Sequence, residues 1–278
     1  IWLDIGRQLR HNPAALIGVV ILTLLVLTAI TAPWIAPHDP NELDLLNPLQ
    51  PPNTPGHLLG TDDLGRDLLS RLIYGTRVSL VVGFIVVGIA GTIGVTLGAI
   101  SGYFGGIIDS IVMRTVDFVF AFPFLILAIA VVAVLGPSLF NMMLVLGFVS
   151  WIGYARLVRS LVLSLRETEF VVAARAIGAS DFHILTRHIL PNVIGIVVVQ
   201  ATFGVAQAIL AAAGLSFLGM GAQPPTAEWG AMLSKAREYL RVSPILSIAP
   251  GVMIMITVLA LNFVGDALRD ALDPRMRR

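Results

Sequence analysis

The sequence has no cysteine and a single lysine, Lys235. The first absence excludes disulfides, thiolate metal sites and thiol nucleophiles. The second excludes a phosphate-binding loop of the form GxxxxGKS or GxxxxGKT, because Ala236 follows the lysine. Any ATP-driven work must therefore draw its energy from another chain. Charge is scarce as well: 13% of the 278 residues are charged, against roughly a quarter in a soluble domain. The net charge of +1 leaves no basic surface for a nucleic acid.

What is present is apolar: 56% of the residues are hydrophobic, and they fall in long runs. Residues 14–35 carry no charge and are long enough to cross a hydrocarbon layer of ~30 Å. A cleaved signal peptide is the rival reading. The run exceeds the usual apolar core of such a peptide, and further runs follow it. Those place spans at about 77–100, 112–135, 139–154, 192–213 and 245–264. The expected fold is all-α, a polytopic membrane protein of six spans: a polar lead over 1–13, then one membrane domain over 14–278.

Several features inside the spans carry specific expectations. Gly94, Gly98, Gly102 and Gly106 recur every four residues and form a flat ridge on which another helix packs closely. Pro123 is expected to kink the third span. Asp117 lies inside or at the edge of the apolar layer, where an ionisable group usually faces the protein interior. It reads either as a structural ion pair, with Arg114 one turn earlier as partner, or as part of a transport path. Gln200, Gly204 and Gln207 share one helix face. Asp117, Gln200, Gln207 and Asn262 are the polar groups expected to line a pathway, although the two amides would equally serve as hydrogen bonds between helices. Residues 36–60 read as an extended loop. Thr61–Asp67 reads as the start of a short surface helix capped by Thr61 or Asp62, with its aspartates solvated and no metal bound.

Residues 155–191 are the longest polar interruption late in the chain. From Glu169 to Pro191 they read as helix, tight turn, helix. Gly178 can adopt the left-handed conformation that ends a helix. Ala179 follows it, Ser180 caps the next helix, and Asp181 sits in its first turn, where the helix dipole favours negative charge. Pro191 is expected to stop that helix. Small Ala173 and Ala174 leave one face open to close approach. His183 and His188 read as interface side chains rather than pH sensors. Twelve Lys and Arg residues fall on the side of the termini and of this loop, against six opposite. By the positive-inside rule both termini and residues 155–191 are cytoplasmic, and the loops 36–60 and 214–244 lie outside.

Ala173, Ala174, Gly178, Leu190 and Pro191 stand at the positions of the signature loop of importer permeases of the ATP-binding cassette class: Glu-Ala-Ala, three residues, Gly, nine residues, Ile, one residue, Leu-Pro. Val172 replaces the Glu and His188 the Ile. With LGTDDLGRDLLSRLIYGTRVSL (59–80), GYFGG (102–106), MRTVDFVFAFP (113–123), LSFLGMGAQPP (215–225) and GDALRDALDPR (265–275), nearly the whole chain resembles the second permease subunit of the dipeptide, oligopeptide and nickel importer family. Ala212 departs from it where many relatives carry Glu. The resemblance implies a type I importer permease fold in a bacterial inner membrane. It implies no catalytic residue and no cofactor in this chain. The implied partners are a second permease, two ATPase subunits holding ATP and Mg, and an extracytoplasmic binding protein. The segment from Glu169 to Pro191 would seat in a groove of its ATPase. Peptide is the expected cargo; nickel and glutathione are the alternatives within the family. From other classes, the alternatives are a carrier driven by protons through Asp117, a protease using Asp117 and Asp266, and a non-transporting scaffold.

Overall fold

The computed structural model describes residues 12–272; residues 1–11 of the expected lead and 273–278 of the tail lie outside them. In chain order come α1 (Pro13–Ile35), α2 (Leu68–Phe104), α3 (Gly106–Phe120), α4 (Phe124–Leu135), α5 (Leu139–Leu165), α6 (Glu169–Ala176), α7 (Asp181–Phe217), α8 (Trp229–Ala236) and α9 (Ile245–Leu272). Among the described residues, five helices are long and apolar enough to cross a membrane. They are six if the bent pair α3–α4 counts as one crossing.

α1 starts where the Asn12 side chain accepts from Ala14 and Ala15 N–H, with Pro13 in the first turn. Only Ala15, Gly18, Leu25 and Ala32 are buried along it. Its remaining Val, Ile and Leu side chains are largely exposed, which suits a helix bathed in lipid. Gly18 permits close contact with α9: a Cβ there would lie 2.8 Å from the Ala260 carbonyl oxygen.

The glycine ridge of α2 lies against α5. A Cβ at Gly98 would lie 2.5 Å from the Ala155 carbonyl oxygen, and one at Gly102 would lie 2.9 Å from that of Arg159. Gly94 meets Trp151 and Tyr154 in the same way. The small residues thus let two backbones touch where lipid offers no hydrophobic force to bring them together. Gly106 is not part of the ridge. The chain turns at Gly105 and Gly106, both with positive φ (67° and 56°), and Gly106 opens α3.

Four expectations on the elements are corrected. The helices of the second, fourth, fifth and sixth expected spans (α2, α5, α7 and α9) all overrun their apolar runs; α5 continues to Leu165, well into the segment expected as loop. The third span is broken at Ala121–Pro123, and its halves meet at 88°. Pro123 precedes α4 rather than bending a continuous helix. Pro191 does not stop a helix either: it sits in the first turn of the long apolar part of α7, where its missing N–H costs little. The turn before it, Ile184–Ile189, is widened to a π-helix, in which Leu190 N–H bonds Leu185 carbonyl.

Fourth, Thr61–Asp67 is not a helix, and its aspartates are not solvated. Asp62 and Asp67 are buried. Asp62 accepts from Leu64 N–H, Arg66 N–H and the Arg66 Nε (2.7 Å). Asp67, not Thr61 or Asp62, caps α2, taking Ser70 N–H at 2.8 Å and Ser70 Oγ at 2.7 Å. Burial pushes the Asp67 carboxyl up, but donors from His57 and Ser70 outweigh it and hold it below the usual carboxylate value. Arg71 reaches back to the Pro40 carbonyl at 2.8 Å, fastening the loop after α1 to the start of α2. Trp229, fully buried at the foot of α8, donates to Leu72 carbonyl at 3.3 Å. At this end Glu228 caps α8, and burial pushes its carboxyl up despite the Gly230 and Ala231 N–H groups it accepts from.

Candidate functional site

Two places invite function: the α6–α7 knob at one end of the bundle, and a cavity midway along it.

The knob is built by local rules. α6 ends in a glycine-terminated turn: Gly178 has φ +85°, its N–H bonds Arg175 carbonyl (3.0 Å), and Ala179 N–H bonds Ala174 carbonyl (3.1 Å). These are the paired bonds of a Schellman cap. Ser180 then caps α7, its Oγ accepting from His183 N–H at 3.4 Å, with Asp181 in the first turn. The Asp181 carboxylate accepts from the Tyr103 hydroxyl at 2.6 Å, which pins the turn to the end of α2. Arg175 lies over the Tyr103 ring, 6.0 Å from its centroid.

The inner face of the knob is core. Val171, Ile184 and Ile189 are wholly buried and pack with Tyr103, Val158, Val162 and Val193. Each such aliphatic side chain contributes about 1.5–3 kcal/mol relative to exposure to water. The knob is thus fastened to the bundle by an apolar core of its own. Ala174 belongs to this inner face; Ala173, and not Ala174, is open to approach. The outer face carries large apolar side chains: Ile177 is 86% exposed and Phe182 77%, beside half-exposed Phe170 and Val172. Glu169 is exposed in the first turn of α6, Leu190 is partly buried against the core, and Pro191 is exposed.

The cavity, about 490 Å³, is walled by α2, the α3–α4 break, α5 and α7. Gln200 and Gln207 both face it, as their shared helix face predicted, together with Ser150 and Tyr154. Gly204, between the two amides, leaves room for the Tyr154 ring; a side chain there would collide with it. The Tyr154 hydroxyl donates to the Gln200 carbonyl at 3.4 Å. Phe120, Phe122 and Phe124 around the break form the apolar wall.

The other two expected lining residues are elsewhere. Asn262 is in α9 and is not part of the cavity wall. Asp117 points outward and pairs with Arg156 of α5 at 2.5 Å, not with Arg114. A second pair joins the same helices: Arg159 grips Asp109 through two nitrogens, at 2.5 and 2.6 Å. A proton carrier or protease built on Asp117 thus lacks its free carboxylate. Tyr103, Tyr154, Ile177 and Phe182 were missed by sequence reasoning. In a greasy sequence no local signal separates an aromatic or aliphatic residue that holds a site from one that faces lipid.

Residues 94–278 match the family described as binding-protein-dependent transport system inner membrane component. Residues 1–52 match the N-terminal membrane domain of oligopeptide transport permease C. The dipeptide transport system permease protein DppC of Alkalihalophilus pseudofirmus is 47% identical, over 99% of this chain and 90% of that one. The Haemophilus influenzae protein of the same name is 44% identical, over 97% and 93%. The glutathione transport system permease protein GsiD of Escherichia coli is 45% identical, over 99% and 91%. Among solved structures, an inward-facing form of the MetNI methionine ABC transporter superposes with a TM-score of 0.58 at 22% identity, over 73% of this chain and 96% of that one. At that identity the likeness concerns the fold.

Proposed function

The chain belongs to the family of binding-protein-dependent transport system inner membrane components, and from that premise we propose that it forms one half of a peptide pathway worked by separate ATPase subunits. The knob around Gly178 is the coupling element. It lies on the cytoplasmic side with both termini, as the twelve-to-six distribution of Lys and Arg favours. A second permease of the same kind completes the pathway, two ATPases bind below it with ATP and Mg, and an extracytoplasmic binding protein delivers cargo from the other side.

The observation that carries this reading is the knob itself. It is a rigid turn with its own core, fastened to α2 by Tyr103 and continuous through α7 with the cavity wall. Exposed Ile177 and Phe182 stand at its tip. Such an element passes on a push applied at its tip, because packed helices shift between discrete arrangements rather than bending smoothly. Gln200, Gln207, Ser150 and Tyr154 give the cavity amide and hydroxyl groups suited to peptide backbone, against an aromatic wall. The relatives' own names, dipeptide and glutathione permeases, favour a short peptide over nickel.

The test is purification of the chain from its native membrane in mild detergent, with ATP hydrolysis and peptide uptake measured after reconstitution. The reading predicts a co-purifying ATPase whose hydrolysis is stimulated by a peptide-loaded binding protein. A chain that purifies alone and moves no peptide would overturn it.

A further inference from the structure

At the bundle end opposite the knob, three side chains from three segments converge. His38 follows α1, His57 lies in the turn before α2, and Asp67 is the α2 cap. One ring nitrogen from each histidine and a carboxylate oxygen of Asp67 lie within 4.8 Å of one another. His57 Nδ1 is 2.9 Å from Asp67 Oδ1, and His38 Nδ1 is 3.8 Å from Asp67 Oδ2. The two rings are 4.7 Å apart. We propose that this cluster binds one divalent first-row transition ion, of which zinc is the representative, as a clasp between the loop after α1 and the start of α2.

Four observations carry the inference. First, the spacing fits. Ligand atoms 2.0–2.2 Å from a tetrahedral ion sit ~3.3 Å from each other; one atom from each of the three residues already lies within 4.8 Å of the others, and His57 Nδ1 would exchange its 2.9 Å hydrogen bond to Asp67 Oδ1 for the ion. Second, His38 Nδ1 is buried and has no hydrogen-bond partner among the described residues. A buried polar atom without a partner costs about 1–3 kcal/mol, and a metal ion supplies what it lacks. Third, the carboxylate is already oriented: Ser70 donates to Oδ2 through both N–H and Oγ, and Ser70 Oγ also accepts the His38 N–H at 3.0 Å. Metal sites need such a supporting shell. Fourth, the Asp67 side chain is 1% exposed, whereas His57 is 18% and His38 33% exposed. The anionic ligand lies at the bottom, and the open side admits the ion and a water as fourth ligand.

The donor set names the class of ion. Two imidazoles and one carboxylate suit zinc, copper(II), nickel or cobalt; they are too nitrogen-rich for calcium or magnesium, and no thiolate is present to select copper(I). The clasp owes nothing to the transport reading. It fastens residues 36–60, otherwise held by turns and by the Asp62–Arg66–Arg71 group, to the helix that carries the glycine ridge.

The test uses the full chain in its purified membrane complex, stripped with chelator and titrated with zinc chloride against a fluorescent zinc indicator. Limited proteolysis of loop 36–60 is followed in parallel. The expected result is one zinc per chain and slower cleavage of that loop. His38→Ala and His57→Ala should each weaken zinc at least tenfold and abolish the protection. Asp67→Asn keeps a capping oxygen but removes the charge that His57 and Ser70 donate to and can disturb the loop by itself, so His38→Ala is the deciding variant: it removes no side-chain hydrogen bond to a described residue, only the 3.8 Å approach to Asp67 and the contact with the His57 ring. No saturable zinc binding would overturn the proposal. So would equal binding by the double variant His38→Ala/His57→Ala, which would assign the ion to His183 and His188 or to an adventitious surface.

Discussion

The Tyr103 hydroxyl donates to the Asp181 carboxylate at 2.6 Å, joining the last turn of α2 to the first turn of α7 across the knob. It links two helices that both wall the cavity. Asp181 is exposed, so losing the bond costs stability only modestly, about 0.5–1.5 kcal/mol. Tyr103→Phe is expected to leave membrane abundance unchanged while peptide uptake per ATP hydrolysed falls severalfold. Uptake and hydrolysis measured on the same proteoliposomes check this.

Gly178→Val puts a β-branched side chain at φ +85°. Nothing lies within 4 Å of the added Cβ, so the penalty is backbone strain alone, ~1–3 kcal/mol. The turn should open and the tip should move. Transport should be lost with the spans still inserted; normal uptake in this variant would mean that the turn's geometry is not needed for coupling.

Gly98→Leu should act by a different route. The added atoms meet Ala155 backbone oxygen at 2.5 Å, and backbone cannot rotate aside. Overpacking of this kind costs about 1–3 kcal/mol, so the complex should aggregate at a lower temperature in a detergent melt. Gly88→Leu, on the same helix with nothing within 4 Å, should leave the melt unchanged.

The sequence revealed the middle of each span more readily than its ends. An apolar run is visible one residue at a time, whereas an end depends on partners far along the chain. α5 continues past its apolar run because Arg156 and Arg159 find Asp117 and Asp109, residues 39 and 50 positions earlier. Pro191 reads as a stop by itself, but the π-turn before it turns it into a first-turn residue. The aspartates of 61–67 look like a solvated face only until His57, Arg66 and Arg71 are folded around them. The knob, by contrast, was legible in detail. Its cap is a local motif in which Gly178, Ser180 and Asp181 each act within a few residues of themselves. The cavity was half legible: the period of a helix brings Gln200 and Gln207 to one face, but it cannot say which face meets Tyr154.

Gln200→Leu/Gln207→Leu should keep the cavity's size and remove its amides. Uptake of dipeptide is expected to fall at least tenfold while the basal ATPase rate of the complex holds. Equal uptake by this double variant would take these two side chains out of the pathway.

The absence of cysteine makes the central claim directly measurable. Phe182→Cys introduces this sequence's one thiol, at the tip of the knob, where it can carry a photoactivated benzophenone maleimide, with the cysteine-free parent as the labelling control. Irradiation should yield an adduct with a separate chain that hydrolyses ATP, identified by mass spectrometry. Ile30→Cys, on the lipid-exposed face of α1, should yield no such adduct. If the Phe182→Cys probe reaches only lipid or this chain itself, the knob is not where the ATPase docks, and the coupling account fails.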